Sequence, residues 1–159
     1  MITNNNIQII EGDLNNEEHA ANFLKLTAAY MNDPMGETKP WTEEQKTSVI
    51  REMKDHPCAL VLFAKSGGKF VGICTCFYAY STFLAKPLLN IHDIYVDESV
   101  RGNGIATQLV EALGDIAVRQ NCGKVTLEVR KDNLNARDLY KSQGFKEAPH
   151  SKFFWIKEL

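Results

Sequence analysis

Residues 89–113, LNIHDIYVDESVRGNGIATQLVEAL, run from strand to turn to helix, and the rest of the chain is organised around them. Ile91, Ile94, Tyr95 and Val96 have the β-branched and aromatic character of a strand, which Asp97-Glu98-Ser99 breaks. Arg101-Gly102-Asn103-Gly104 follows, and from Ile105 the apolar residues Ile105, Leu109, Leu113, Ile116 and Ala117 recur at helical spacing. The glycines therefore stand at a helix start. The first turn of a helix has N–H groups without intrahelical partners and carries partial positive charge, so it suits an anion such as phosphate. Gly102 and Gly104 let such a group approach the backbone and let the turn take positive φ, and Arg101 adds a full charge. A bare Gly-x-Gly is equally an ordinary strand-to-helix turn.

Working outward, Ile7, Ile9 and Ile10 predict a first strand closed by Glu11-Gly12-Asp13. Asn16 predicts an N-cap for a helix over about 17–31, with Glu17 and Glu18 in its first turn and a stripe of Ala20, Phe23, Leu24, Thr27, Tyr30 and Met31. NDPMGETKPW is a loop that forms either a wall of a pocket or a simple connection. Thr42 with Gln45 makes a capping box for a second helix ending at His56-Pro57. Residues 58–64 and 70–80 read as strands joined by a tight turn at Gly67-Gly68, which makes them antiparallel. After the central helix, Asn121-Cys122-Gly123 is a C-cap and KVTLEVR a half-buried strand. Asn133 or Asp132 caps a helix bearing Leu134, Ala136, Leu139 and Tyr140, which Gly144 ends. Residues 145–147 and 152–157 read as closing strands, so the expected order is β, α, α, β, β, β, α, β, α, β, β.

At 159 residues with 44% hydrophobic and 24% charged residues, the chain is expected to form one soluble domain with a single core. No apolar run is long enough to span a bilayer, and the N-terminus has no basic stretch leading into an apolar one, so the expected location is the cytoplasm, away from membranes. Cys58, Cys74, Cys76 and Cys122 lack CxxC spacing, and the four histidines are scattered, which implies reduced thiols and no metal site. A net charge of −2 argues against nucleic acid. Ten acidic and five basic residues fall in 1–60, against ten and thirteen in 61–159. That division suits a cationic ligand on the first part and a polyanion on the second, and equally describes solvated surface.

VDESVRGNGIATQLV resembles the acyl-CoA pyrophosphate loop of the GNAT N-acetyltransferase superfamily, with RGNGIA matching its RGxGIG or RGxGIA heart and Ser99 at the position usually filled by Gln or Arg. LEVRKDNLNARDLYKSQGFKE is similar to the family's later segment through Asn133, Ala136, Leu139, Tyr140, Gly144 and Phe145. The resemblance covers about residues 89–147. It implies a mixed α/β fold: a mostly antiparallel, twisted sheet of six to seven strands flanked by about four helices, with the pantetheine arm of acetyl-CoA in a gap between diverging strands. STFLAKPLLNIHDIYV is also similar to the diamine (spermidine/spermine) acetyltransferases. Asp93 keeps the second acid of their acidic pair, whereas His92 replaces a glutamate associated with the general base.

Acetyl transfer to an amine requires a neutral nitrogen, so a base must take a proton from an alkylammonium group of pKa about 10. His92 is the first candidate because histidine titrates near neutral pH; Asp93 or Glu128 acting through water is the alternative. Attack on the thioester makes an oxyanion, which a backbone N–H near Ile94 or Tyr95 would stabilise. The resemblance makes Tyr140 the acid for the leaving thiolate, although its spacing is also that of a core aromatic. By the same resemblance, Ile94 and Val96 pair with the pantetheine amides, Arg101, Gly102, Asn103, Gly104, Ile105, Ala106 and Thr107 cradle the pyrophosphate, and Asn133 adds a side-chain hydrogen bond. Tyr30, Asp33, Tyr78 and Asp93 are the expected acceptor lining. The acceptor is a small or peptide amine, no metal is involved, and edge strands with the apolar FFWI segment favour a homodimer.

Two rival readings remain. Strand, Gly-x-Gly, helix and Glu128 superficially imitate a dinucleotide-binding unit, but Thr107 fills the third-glycine position and the preceding segments are hairpins rather than helical crossovers. A non-catalytic acyl-CoA sensor would keep the loop and lose acid and base, yet Tyr140 is present.

Overall fold

The computed structural model describes residues 7–36, 38–149 and 155–159. Its elements are β1 (Ile7–Glu11), α1 (Glu17–Met31), α2 (Glu43–Met53), β2 (Ala59–Ser66), β3 (Lys69–Ser81), β4 (Lys86–Val96), α3 (Ile105–Arg119), β5 (Lys124–Leu127) and α4 (Leu134–Ser142), with a 3-10 turn at Glu98–Val100 before α3. The sheet runs β1-β2-β3-β4-β5, antiparallel throughout except for the parallel β4–β5 pair. Consecutive antiparallel additions are what short turns such as Gly67-Gly68 permit, while the parallel pair needs the crossover that α3 supplies.

Local chemistry sets the helix ends. The Asn16 side chain accepts from His19 N–H, and Thr42 and Gln45 form the reciprocal capping box at α2. Both α3 and α4 close by the same device, a residue in the left-handed region followed by an N–H that reaches back to the last turn. Asn121 has φ +54° and the Cys122 N–H donates to Ala117 O; Gly144 has φ +82° and the Phe145 N–H donates to Tyr140 O.

Two apolar layers cover the sheet. On one face α3 lays Ile105, Leu109, Leu113, Ile116 and Ala117 over Leu62, Ala64, Cys74, Cys76, Leu89 and Ile91. On the other, Phe23 and Leu26 of α1 and the half-buried Val49, Ile50 and Met53 of α2 cover Val61, Phe63, Phe70 and Ile73. Leu109 and Leu113 are fully buried, so truncating either to alanine should cost about 2–5 kcal/mol. Cys74 and Cys76 share the α3 face with their sulfurs 3.5 Å apart, and all four cysteines are free thiols.

The described sheet has five strands, not six or seven. Residues 145–147 form no strand, because the N–H of Phe145 is committed to closing α4 and Pro149, just beyond, has no N–H to give a ladder. The other expected closing strand, 152–157, lies partly outside the described residues; positions 155–157 are not strand. KVTLEVR forms a strand only as far as Leu127. No helix among the described residues is long and apolar enough to cross a membrane.

Candidate active site

The site begins where a strand loses one neighbour. β3 pairs with β4 along its whole length from Lys86 to Val96, but β5 pairs with β4 only from Leu88↔Lys124 to Ile91↔Leu127. Beyond that register the strands part, and a cleft of about 1020 Å³ opens between His92–Val96 and Leu127–Arg130. Its walls come from both layers: Tyr30, Asp33, Pro34 and Met35 from the α1 side, and Ile105, Ala106, Thr107, Ala136, Leu139 and Tyr140 from the α3–α4 side.

The parting coincides with a bulge. Thr75 opposes Asp93 and Cys76 opposes Ile91, so His92 is an extra residue in β4. Past it, the ladder has a fixed parity: the Asp97 N–H donates to Val71 O, and alternate residues face the same way. Tyr95 thus turns its backbone groups into the sheet, while Ile94 and Val96 turn theirs toward the open side. The Val96 carbonyl is already taken by Arg101 Nε at 2.9 Å, which leaves the Ile94 N–H and C=O and the Val96 N–H facing the cleft.

Across from these groups starts α3, the one α-helix described whose N-cap supplies no side chain. Gly104 holds that position at φ +72°, and the first intrahelical bond runs from Gln108 N–H to Gly104 O. The N–H groups of Ile105, Ala106 and Thr107 consequently have no acceptor among the described residues, and all three residues line the cleft. Asn103 instead braces the turn, donating from Nδ2 to Val100 O at 2.9 Å. A Cβ on Gly102 or Gly104 would meet nothing within 4 Å, so these glycines are required by backbone conformation and not by crowding.

Tyr140, on the buried stripe of α4, packs its ring against Phe145 and still borders the cleft, although it is only 6% exposed. Burial, reinforced by the neighbouring Cys74, Tyr30 and Cys76, pushes its hydroxyl well above the usual tyrosine range, so it stays protonated through neutral pH. Asn133 also borders the cleft, but its Oδ1 accepts the Ala136 N–H as the cap of α4, a role the sequence reading left open between Asn133 and Asp132.

The other wall carries the acids. His92 is exposed, stacks edge-on against Phe77 at 5.6 Å and lines the cleft. Asp93, expected to line the acceptor site, is not among the residues that line the cleft; burial raises its carboxyl and His92 partly offsets the shift. Tyr30 is raised by burial and by the carboxylates of Asp93 and Asp33, so both acids lie near its ring. Glu128 lines the far side. The structure does not bring Tyr78 to this place: it packs into the α3-side core, near Cys122 and Arg119. Residue parity on β3 carried that signal, since Tyr78 alternates in step with Cys74 and Cys76 and not with Thr75 and Phe77.

The Arg101 guanidinium does not stand alone beside the glycines. Its Nη2 is 2.7 Å from Asp33 Oδ2, and its plane lies over Tyr95 at 5.4 Å. Burial works to raise Asp33, but the hydrogen bonds from Arg101 and the Met35 N–H outweigh it and hold the carboxyl below its usual range. Nothing local in the sequence signals this pair, whose members are 68 residues apart. Among the described residues, no three His, Cys, Asp or Glu side chains group to hold a metal ion.

The profile of the Acetyltransferase (GNAT) family matches residues 23–145, from the middle of α1 to the end of the α4 cap. Thialysine N-epsilon-acetyltransferase of Bos taurus is 32% identical over 74 residues, 46% of this chain and 43% of that protein. N-acetyltransferase 8 of Homo sapiens is 31% identical over 124 residues, 72% of this chain and 54% of that one. The chain thus spans about half the length of these curated relatives. The crystal structure of a probable acetyltransferase superposes with a TM-score of 0.83 at 19% identity, covering 96% of this chain and 98% of that one, a likeness of fold. A sheet forked beside an uncapped, glycine-led helix, in a chain whose sequence fits the family's profile over most of its length, establishes that this protein belongs to the GNAT acetyltransferase family.

Proposed function

We propose that the protein is an acetyl-CoA-dependent N-acetyltransferase that moves the acetyl group directly to a primary amine in the β4–β5 fork. The observation that carries this reading is the pairing of two unsatisfied main-chain surfaces across one cleft: the open edge of β4 at Ile94 and Val96, and the N–H groups of Ile105, Ala106 and Thr107 at the start of α3. An extended diamide arm extends the ladder along the first; a diphosphate accepts hydrogen bonds from the second.

The chemistry then follows the walls. A cationic amine enters past Tyr30 and Asp33, and His92 takes its proton, with Asp93 or Glu128 through water as the alternative base. The neutral nitrogen attacks the thioester carbon, the oxyanion forms beside the Ile94 N–H, and the C–S bond breaks as the electron pair leaves on sulfur. Tyr140, which borders the cleft, gives its proton to that sulfur while the nitrogen sheds its second proton, which passes through water to restore the tyrosine hydroxyl. Thialysine and other small amines are the first acceptors to try, since relatives bear that name and the acceptor wall is acidic. The reading includes a cytoplasmic homodimer, supported by free thiols and by Tyr80, Phe83 and Leu84 standing exposed on the β3–β4 hairpin.

The test is release of free CoA thiol from acetyl-CoA in the presence of thialysine, spermidine, an aminoglycoside, free amino acids and a peptide N-terminus. Amine-dependent release with at least one of them is expected. Acetyl-CoA binding with no turnover on any would instead favour a sensor.

A further inference from the structure

The reading of Arg101 as a charge for the diphosphate does not agree with what its side chain does. Its visible commitments are Nε to Val96 O at 2.9 Å, on the open edge of β4, and, on the α1 side, Nη2 to Asp33 Oδ2 at 2.7 Å and its plane over the Tyr95 ring. Its charge is already matched by a carboxylate whose side chain is only 14% exposed. Asp33 in turn belongs to a tight fold-back after α1. Its N–H donates to Tyr30 O, its Oδ1 accepts the Met35 N–H, and the Gly36 N–H donates to Asp33 O. The fold-back is so close that a Cβ on Gly36 would lie 2.0 Å from Tyr30 O. The unit Asp33–Gly36 is thus internally shaped and joined to the glycine turn by one ion pair, and its Asp33, Pro34 and Met35 line the cleft.

We propose that Arg101 is a positioning residue for the acceptor amine: through Asp33 it clamps the Asp33–Gly36 wall against the cleft, and the diphosphate is held by main-chain N–H groups without its side chain. Bidentate-capable guanidinium suits a fixed clamp better than a lysine would, because its planar fork holds a direction as well as a charge. Loss of the clamp leaves the α3 amides in place and lets Pro34 and Met35 drift from the acceptor. Misplacing a substrate wall in this way raises KM more than it lowers the turnover number.

This inference rests on the acetyltransferase reading, and the experiment separates the two. Arg101→Ala, Arg101→Lys, Asp33→Asn and the reversed pair Asp33→Arg/Arg101→Asp are compared with the unaltered protein. The readouts are acetyl-CoA affinity by calorimetry, hydrogen exchange of the Met35 and Gly36 amides, and steady-state kinetics with thialysine or spermidine. Each single variant should keep acetyl-CoA affinity within about threefold, speed exchange at Met35 and Gly36 about tenfold, and raise acceptor KM about tenfold with kcat within about twofold. The reversed pair should recover part of the exchange protection and of the KM. The proposal is overturned if Arg101→Ala weakens acetyl-CoA by tenfold or more while Asp33→Asn does not, or if exchange at Met35 and Gly36 is unchanged in both. Failure of the unaltered protein to bind acetyl-CoA would sink the acetyltransferase reading, and the exchange measurement alone would still decide the clamp.

Discussion

The first half of β4, Lys86–Ile91, has β3 on one edge and β5 on the other, whereas the second half, His92–Val96, keeps β3 and loses β5. The first half is ordinary sheet: Leu89 and Ile91 are buried under α3, and Asn90 donates from Nδ2 to Thr126. The second half has the same residue types, and its Ile94 and Val96 also pack toward α3, yet its outer edge faces a cleft. One inserted residue, His92, separates the two. Similar side chains thus serve scaffold and site, and the difference lies in where the main-chain hydrogen bonds go.

The largest effect expected from breaking that contrast comes from Tyr140, the proposed acid, which borders the open half from α4. Tyr140→Phe should lower kcat about 10²-fold or more while leaving acetyl-CoA affinity within about twofold, since only the proton donor is lost. Equal kcat values in the thiol-release assay would remove the proposed acid.

Next comes the uncapped helix opposite the open edge. Gly104→Val forces a β-branched residue into φ +72° at the start of α3, where a Cβ meets nothing of the protein within 4 Å. Acetyl-CoA affinity by calorimetry should fall about tenfold or more. A core substitution in the closed half, Leu89→Val, should cost stability and leave affinity alone.

His92 sharpens the comparison at its boundary. His92→Ala should lower kcat/KM about tenfold and remove the acid limb of its pH profile if the imidazole is the base. Retention of that limb would move the role to Asp93 or Glu128.

The smallest effect concerns Asp93, just beyond the bulge. Its carboxyl is raised in the folded state, so the charged form is disfavoured there relative to the unfolded chain. The penalty is full above the folded value and vanishes as pH falls below the ordinary carboxylate range. Asp93→Asn should therefore raise the melting temperature at pH 7, with the gain gone near pH 3. Thermal unfolding at both pH values reads it directly.

Helix spans, the glycine turn and the antiparallel build-up of β2 to β4 were legible because each is written locally, in caps, in paired glycines and in apolar period. The bulge at His92 was not, since a two-residue period read through IHDIYV has no mark for one extra residue. Nor was the Arg101–Asp33 clamp, which joins a loop to a turn across the cleft. Tyr78 was misplaced for a reason the sequence did hold: it shares its face with Cys74 and Cys76, under α3. The strand expected at 145–147 failed because α4 takes the Phe145 N–H, a competition that apolar pattern does not display.

The central claim is that the cofactor completes the half of β4 that β5 leaves open. A crystal structure of the acetyl-CoA complex tests it most directly. Pantetheine amides hydrogen-bonded to Ile94 and Val96, the diphosphate on the N–H groups of Ile105, Ala106 and Thr107, and an intact Arg101–Asp33 pair are expected. Acetyl-CoA seated outside the fork, with β4 and β5 paired beyond Ile91 and Leu127, would contradict it.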